Sequence, residues 1–152
     1  MENQNRKYPP KYNPGFVKPE HITTPRLTVK DREDFERGIQ LFNNGMFWHA
    51  HEAWEEVWKR QWAPNRLFFQ GLIHMTAAYH QLYCHKYHGL IKHCERATLK
   101  LELFRPEFLG INVDFLLQSI GATRTLGLQL GEERLHEFDV ILIPAVLTER
   151  SV

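Results

Sequence analysis

The sequence predicts an all-α fold: a helical bundle of about five helices, built from two antiparallel hairpins behind an extended N-terminal arm. Three observations carry that expectation. Apolar residues recur at spacings of three and four along successive stretches, the period of one helix face. Two of those stretches are joined only by Asn43-Asn44-Gly45, a connection short enough to force its helices antiparallel. Prolines 9, 10, 14, 19 and 25 crowd the first thirty residues, where they fix φ and remove backbone donors. Residues 1–30 therefore read as a Pro-rich arm and residues 31–152 as a single helical-bundle domain.

In the arm, Tyr8, Tyr12, Phe16 and Val17 supply apolar side chains with which to lie across the domain. Asp31 or Asp34 is expected to cap a first helix, in which Phe35, Ile39 and Phe42 share a face. Gly45 suits the left-handed position that ends it. A second helix starts near Met46 and stops at Ala63-Pro64-Asn65, where Asn65 is expected to cap a third. The third should run over roughly residues 66–88. It is apolar on both sides, with Phe69, Ile73, Ala77 and Cys84 on one and Phe68, Leu72, Tyr79, Leu82 and Tyr83 on the other. Such a helix is central and covered twice. Gly89 is expected to break it. A fourth helix carries Leu90, Cys94, Ala97, Leu101 and Phe104 and ends at Pro106. Asp114 should cap a fifth through Ile120. Gly127 and Gly131 interrupt the pattern beyond it, and residues 138–146 read as a short extended segment packed on the bundle.

Shifted by 40 residues, Phe42 falls on Leu82, Phe47 on Tyr87, Ala50 on Leu90, Glu55 on Glu95 and Val57 on Ala97. A degenerate tetratricopeptide-like pair of hairpins would give this pattern. Packed hairpins of any origin share the same apolar spacing.

Composition removes several function classes. A hydrophobic content of 43% excludes wholesale disorder, and a net charge of +1 gives no pull toward nucleic acid or anionic membrane. Basic residues form no stripe that would follow a phosphate backbone. No stretch approaches the roughly 20 apolar residues of a membrane span. The polar N-terminus offers no secretory signal, and Cys84 and Cys94 make no disulfide framework. A cytoplasmic location without nucleic-acid or membrane partners is the expectation.

The chemistry concentrates in residues 47–58. At about 100° per residue, His51 and Glu55 lie about 40° apart on a helix, and Trp58 about 20° from His51 on the other side. Both ionisable groups thus stand at the edge of an aromatic stripe that faces the core. Such a pair must be paired, hydrogen-bonded or ligated. Three readings stay open. His51 and Glu55 are two ligands of a divalent metal (zinc, manganese or iron) completed from the third helix, which offers His74, His80 and Gln70. His80 and His74 lie about 120° apart, so one or the other joins Gln70 at the site. Alternatively, Glu55 hydrogen-bonds His51, with Arg66 or Gln70, as a structural pair. The third reading is acid/base work without metal. Trp58, Gln70, Trp54 and Trp62 are the candidate pocket residues, with Trp54, Trp58 and Trp62 on one face. Of the seven histidines between His49 and His93, His49, His85 and His93 read as solvent-facing.

His51-Glu52 fails the H-E-x-x-H metalloprotease pattern, because Glu55 stands where the second histidine belongs. Glu133-x-x-His136 is a single copy of a motif that di-iron bundles need twice.

The run Phe42-x-x-Gly45-x-Phe47-x-x-Ala50-His51-Glu52-x-x-Glu55-x-x-Trp58, followed by Phe69-Gln70-Gly71-Leu72-Ile73 and Ala77-Ala78-x-His80, resembles the prokaryotic domain-of-unknown-function family 309. The resemblance covers roughly residues 35–103. It implies a small all-α bundle of unestablished activity, with His51, Glu55 and Trp58 as functional residues and a metal as the suggested ligand. His74 departs from the polar amide expected after Gly71-Leu72-Ile73.

The leading expectation is therefore a buried His/Glu site between the second and third helices that binds a divalent metal. If the protein is an enzyme, metal-assisted hydrolysis follows, with His80 or His74 as added ligand or base and Trp58 as wall. The rival is a helical interaction module, in which His51 and Glu55 are structural and a groove takes a peptide, a protein partner or a second copy in a homodimer.

Overall fold

The computed structural model describes residues 8–146. Five helices follow in order: α1 Val29–Asn43, α2 Phe47–Arg60, α3 Arg66–Tyr83, α4 Tyr87–Leu101 and α5 Val113–Arg134. Each packs on the one before it. Two short strands, β1 Glu107–Phe108 and β2 Ile111–Asn112, pair antiparallel between α4 and α5. The parts of the arm and domain at residues 1–7 and 147–152 lie outside the described residues.

Most of the apolar stripes become the core, although Tyr83 and Cys84 at the end of α3 are exposed and Ile73 and Ala77 only half-buried. Phe35, Ile39 and Phe42 of α1 meet Trp54 and Phe47 of α2, and α3 is buried on both flanks through Phe68, Phe69, Leu72 and Tyr79. Fully burying one such side chain contributes about 1.5–3 kcal/mol. The largest is Trp54, whose Nε1 donates to the carbonyl of Phe35 at 3.1 Å. Gly38 makes room for it: a Cβ there would fall 2.2 Å from the indole nitrogen. Trp54 therefore belongs to the core and not to a pocket wall.

Several helix ends differ from expectation. Thr28 caps α1: its Oγ1 accepts from the Asp31 N–H at 3.0 Å, and Asp31 Oδ2 accepts in return from the Thr28 N–H at 3.2 Å. Asp31 is thus the third helical residue, and Asp34 lies inside the helix. Asn65 precedes α3 without capping it. Its backbone is already helical (φ −61°, ψ −11°), whereas a capping side chain needs an extended residue, and its amide turns to the Thr23 carbonyl instead. Asn112, not Asp114, caps α5, accepting from the Phe115 N–H at 2.9 Å. That helix continues through Gly121 and Gly127 to Arg134, with its one non-helical residue at Gly131 (φ 69°).

Helix α3 stops at Tyr83, and Gly89 lies inside α4 rather than at a break. His85 takes the left-handed position instead, at φ 55°. The two hairpin turns close with the same bonds. Gly45 N–H donates to Phe42 O and Met46 N–H to Leu41 O. Forty residues on, His85 N–H donates to Leu82 O and Lys86 N–H to Gln81 O. Gly89 lies close against the Gln81 side chain, whose flexible end would have to shift to admit a Cβ there.

In the α1–α2 seam, Arg60 Nε donates to Asp31 Oδ1 and Arg60 Nη2 to Asp34 Oδ2 at 2.7 Å. Lys30 and Arg37 also reach Asp34. Burial would push the Asp34 carboxyl up, but the bonds from Arg60 and Lys30, with the charges of Lys30 and Arg37, bring it below its ordinary value.

The arm lies against the junction of α2 and α3. Val17 is buried, Tyr12 Oη donates to Trp62 O at 2.7 Å, and Arg66 Nη1 donates to Pro10 O at 2.7 Å. Beyond α5, residues 138–146 hold a 3-10 turn at Val140–Leu142 rather than an extended run, and that turn is exposed. Val146 is buried and clasped by the Asn43 amide, which accepts its N–H at 2.7 Å and donates to its carbonyl at 3.2 Å. No helix among the described residues is long and apolar enough to cross a membrane.

Candidate functional site

Helices α2, α3 and α4 each contribute imidazoles to one neighbourhood. On α2, the His51 side chain is 23% exposed and its ring stacks on Trp48 at 5.2 Å, nearly parallel. Its Nδ1 is enclosed and has no hydrogen-bond partner. Glu55 Oε2 stands 3.6 Å away, within reach of an ion pair but too far for a hydrogen bond. Of the expected structural pair, the His51–Glu55 contact is present at ion-pair distance, without Arg66. Arg66 donates instead to the carbonyls of Pro10 and Trp58.

The closest contact lies between α3 and α4, where His74 Nδ1 and His93 Nδ1 are 3.1 Å apart. One ring must donate and the other accept, so the contact requires neutral imidazole on the accepting side. Burial first, then the charges of Lys100, His93, Arg96 and His51, push the His74 pKa down to about 3. His93 is lowered by burial, then by Arg96, Lys92, His51 and Lys100. The Lys100 ammonium is lowered by burial and by Arg96. Every charged group that shifts these two imidazoles is thus of one sign.

Sequence reasoning assigned His93 to solvent, and the structure half-buries it as the partner of His74. The signal was its place immediately before Cys94, at the edge of the stripe Leu90, Cys94, Ala97 and Leu101. His80 takes a different neighbour: it packs on the Trp48 ring at 5.4 Å and lies 3.9 Å from Cys84 Sγ. Gln70 is half-buried one turn before His74. Trp58 and Trp62 stand at the far end of α2, beside Arg66 and the arm. The candidate ligands His51, Glu55, His74 and His80 are therefore spread over several contacts. Among the described residues, no group of three or more His, Cys, Asp or Glu side chains is assembled to hold a metal ion.

Fold and cluster together define a class: an all-α bundle whose third and fourth helices bring two imidazoles together among cationic side chains. A family model described as a domain of unknown function (DUF309) matches residues 35–93, from Phe35 on α1 to His93 on α4. The chain is similar to that family across the first hairpin, α3 and the start of α4. Comparison with curated proteins finds no match.

Proposed function

We propose that this protein binds a small anion, a carboxylate or phosphate, in the α3–α4 seam. His74, His93, Lys100 and Arg96 are its recognition groups, with His51 and Glu55 at the α2 rim. We also propose that the chain is a member of the DUF309 family, carrying its His51-x-x-x-Glu55-x-x-Trp58 signature on α2. The observation that supports the anion reading is the His74–His93 contact, set among cations. An anion there would relieve their mutual repulsion and favour the protonated imidazoles. The test is NMR of the histidine ring protons during titration with phosphate and with citrate near neutral pH. Saturable shifts at His74 and His93 are expected, with binding about tenfold weaker in Lys100→Met, a loss of about 1.4 kcal/mol. Titrations without saturable shifts at either ring would sink the reading.

One observation favours a second reading, the divalent metal. Two imidazole nitrogens 3.1 Å apart lie close to the roughly 3.3 Å that separates two nitrogens on tetrahedral zinc. His51 would be the further ligand from α2, with Glu55 beside it, and the metal would supply Lewis acidity for hydrolysis. Lys100 and Arg96 oppose a dication at that point. Elemental analysis for zinc, manganese and iron separates the two. Near-stoichiometric metal that disappears in His93→Ala supports this reading, and metal-free protein that also takes up none of the three argues against it.

A further inference from the structure

At the opposite end of α2, the arm and the helices together line an open cleft of about 420 Å³. Trp58, Trp62 and Arg66 form one side of it, and Tyr8, Pro9 and Lys11 the other. The volume falls in the range that small-molecule sites occupy, about 300–1,000 Å³. Three of its seven lining residues are aromatic, and its charged members, Lys11, Lys59 and Arg66, are all cations.

Arg66 is the unusual one. It is only 4% exposed. Its guanidinium lies 4.2 Å above the Trp58 ring and donates to the Pro10 and Trp58 carbonyls. Those contacts are dipoles and a π-face, and among the described residues no ion pair joins Arg66 to a carboxylate. Burying a cation without a counter-charge is costly, and removing that cost needs an anion. Two donors in the same wall are also unsatisfied: Arg66 Nε and Trp58 Nε1 are enclosed and have no acceptor. Aromatic walls, a buried guanidinium and unused N–H groups describe a site for a flat apolar molecule bearing one negative charge.

We propose that this cleft binds an aromatic carboxylate, with Arg66 as its counter-charge and Trp58 and Trp62 as stacking walls. The site is independent of the α3–α4 seam. The arm is part of it, so ligand binding would also fasten residues 8–11 to the helices.

Calorimetric titration of the full chain with 1-naphthoate, and in parallel with the uncharged 1-naphthylmethanol, tests the proposal. A saturable site that persists in His74→Ala is expected, with naphthoate bound there at least about tenfold more tightly than the alcohol. Arg66→Met should abolish that preference, and Trp62→Ala should weaken both ligands together. His74→Ala should leave naphthoate binding unchanged. Naphthoate that does not bind saturably, or binds no better than the alcohol, overturns the proposal. So does binding that His74→Ala removes. Should Arg66→Met fail to fold, the selectivity of the unaltered chain and the Trp62→Ala result still decide.

Discussion

The α1–α2 and α3–α4 hairpins close their turns with the same backbone bonds forty residues apart, yet handle charge in opposite ways. Asp34 in the first corresponds to His74 in the second, and Arg60 to Lys100. Asp34 and Arg60 satisfy each other across their seam. Burial alone would lower the Arg60 pKa, but its bonds to Asp34 and Asp31 more than reverse that. His74 and Lys100, by contrast, repel when both are charged, and each is lowered. The same turn bonds thus accompany an internally paired seam in one hairpin and a like-charged one in the other. The difference turns on two acidic side chains, Asp31 and Asp34, in whose places the second hairpin carries Gly71 and His74.

Removing the long cation from each seam should separate the two most sharply. Arg60→Met leaves the carboxylate of Asp34, 1% exposed, without its main partner and should cost about 3 kcal/mol. The readout is a lower urea midpoint at unchanged m. A loss of less than about 1 kcal/mol would mean that Lys30 and Arg37 suffice, and the Arg60 pairing would vanish from the comparison.

Acid should reveal the second seam next. His74 has a folded pKa of about 3 against 6.5 in an unfolded chain, so the unfolded chain takes up its proton first. Stability should therefore fall as pH drops from 6.5 toward 3, by roughly 2 kcal/mol once partial solvent exposure is counted. Asp34 works in a separate window. Its folded pKa is below the ordinary 3.8, so its contribution is full above that value and is lost only as pH falls through the lowered one. Urea midpoints at about pH 7 and about pH 4 should show a slope that His74→Gln flattens. An unchanged slope in the variant would place the acid sensitivity elsewhere.

Lys100→Met should give the smallest effect of the three, and the opposite sign to Arg60→Met. Relieving a half-buried, repelled ammonium should raise stability by about 0.5–1 kcal/mol. Destabilisation instead would show that Lys100 has a partner and that the seam is already neutral.

The helices and their buried faces were readable in the sequence because apolar spacing reports which side of a helix faces inward, and that side is what packing uses. The ends were less readable. Thr28 and Asp31 are both competent caps, and the reciprocal box employs both, so composition alone does not say which one lies outside the helix. Gly89 misled because glycine serves equally for left-handed backbone and for close approach, and only the position of Gln81 shows which applies. At the site, the helical wheel placed His51 beside Glu55. It could not place His93 beside His74, because that contact depends on how α4 is rotated against α3, a relation between helices that no single wheel contains.

The Asn43 clasp on Val146 has a consequence for the order of events in folding. Most packing here joins consecutive helices, which is local and fast to form. The clasp joins residues separated by 103 positions. During synthesis, α1 and α2 can pair long before residue 146 has left the ribosome, so for that interval the α1–α2 turn waits with its amide unlatched. A contact made so late adds little to the folding transition state and acts mainly as a lock on escape. Asn43→Ala should then leave the refolding rate nearly unchanged while speeding unfolding about fivefold, a loss of about 1 kcal/mol read from the unfolding arm of a chevron. Slowed refolding would instead make the α1–α2 turn and residue 146 partners from the start.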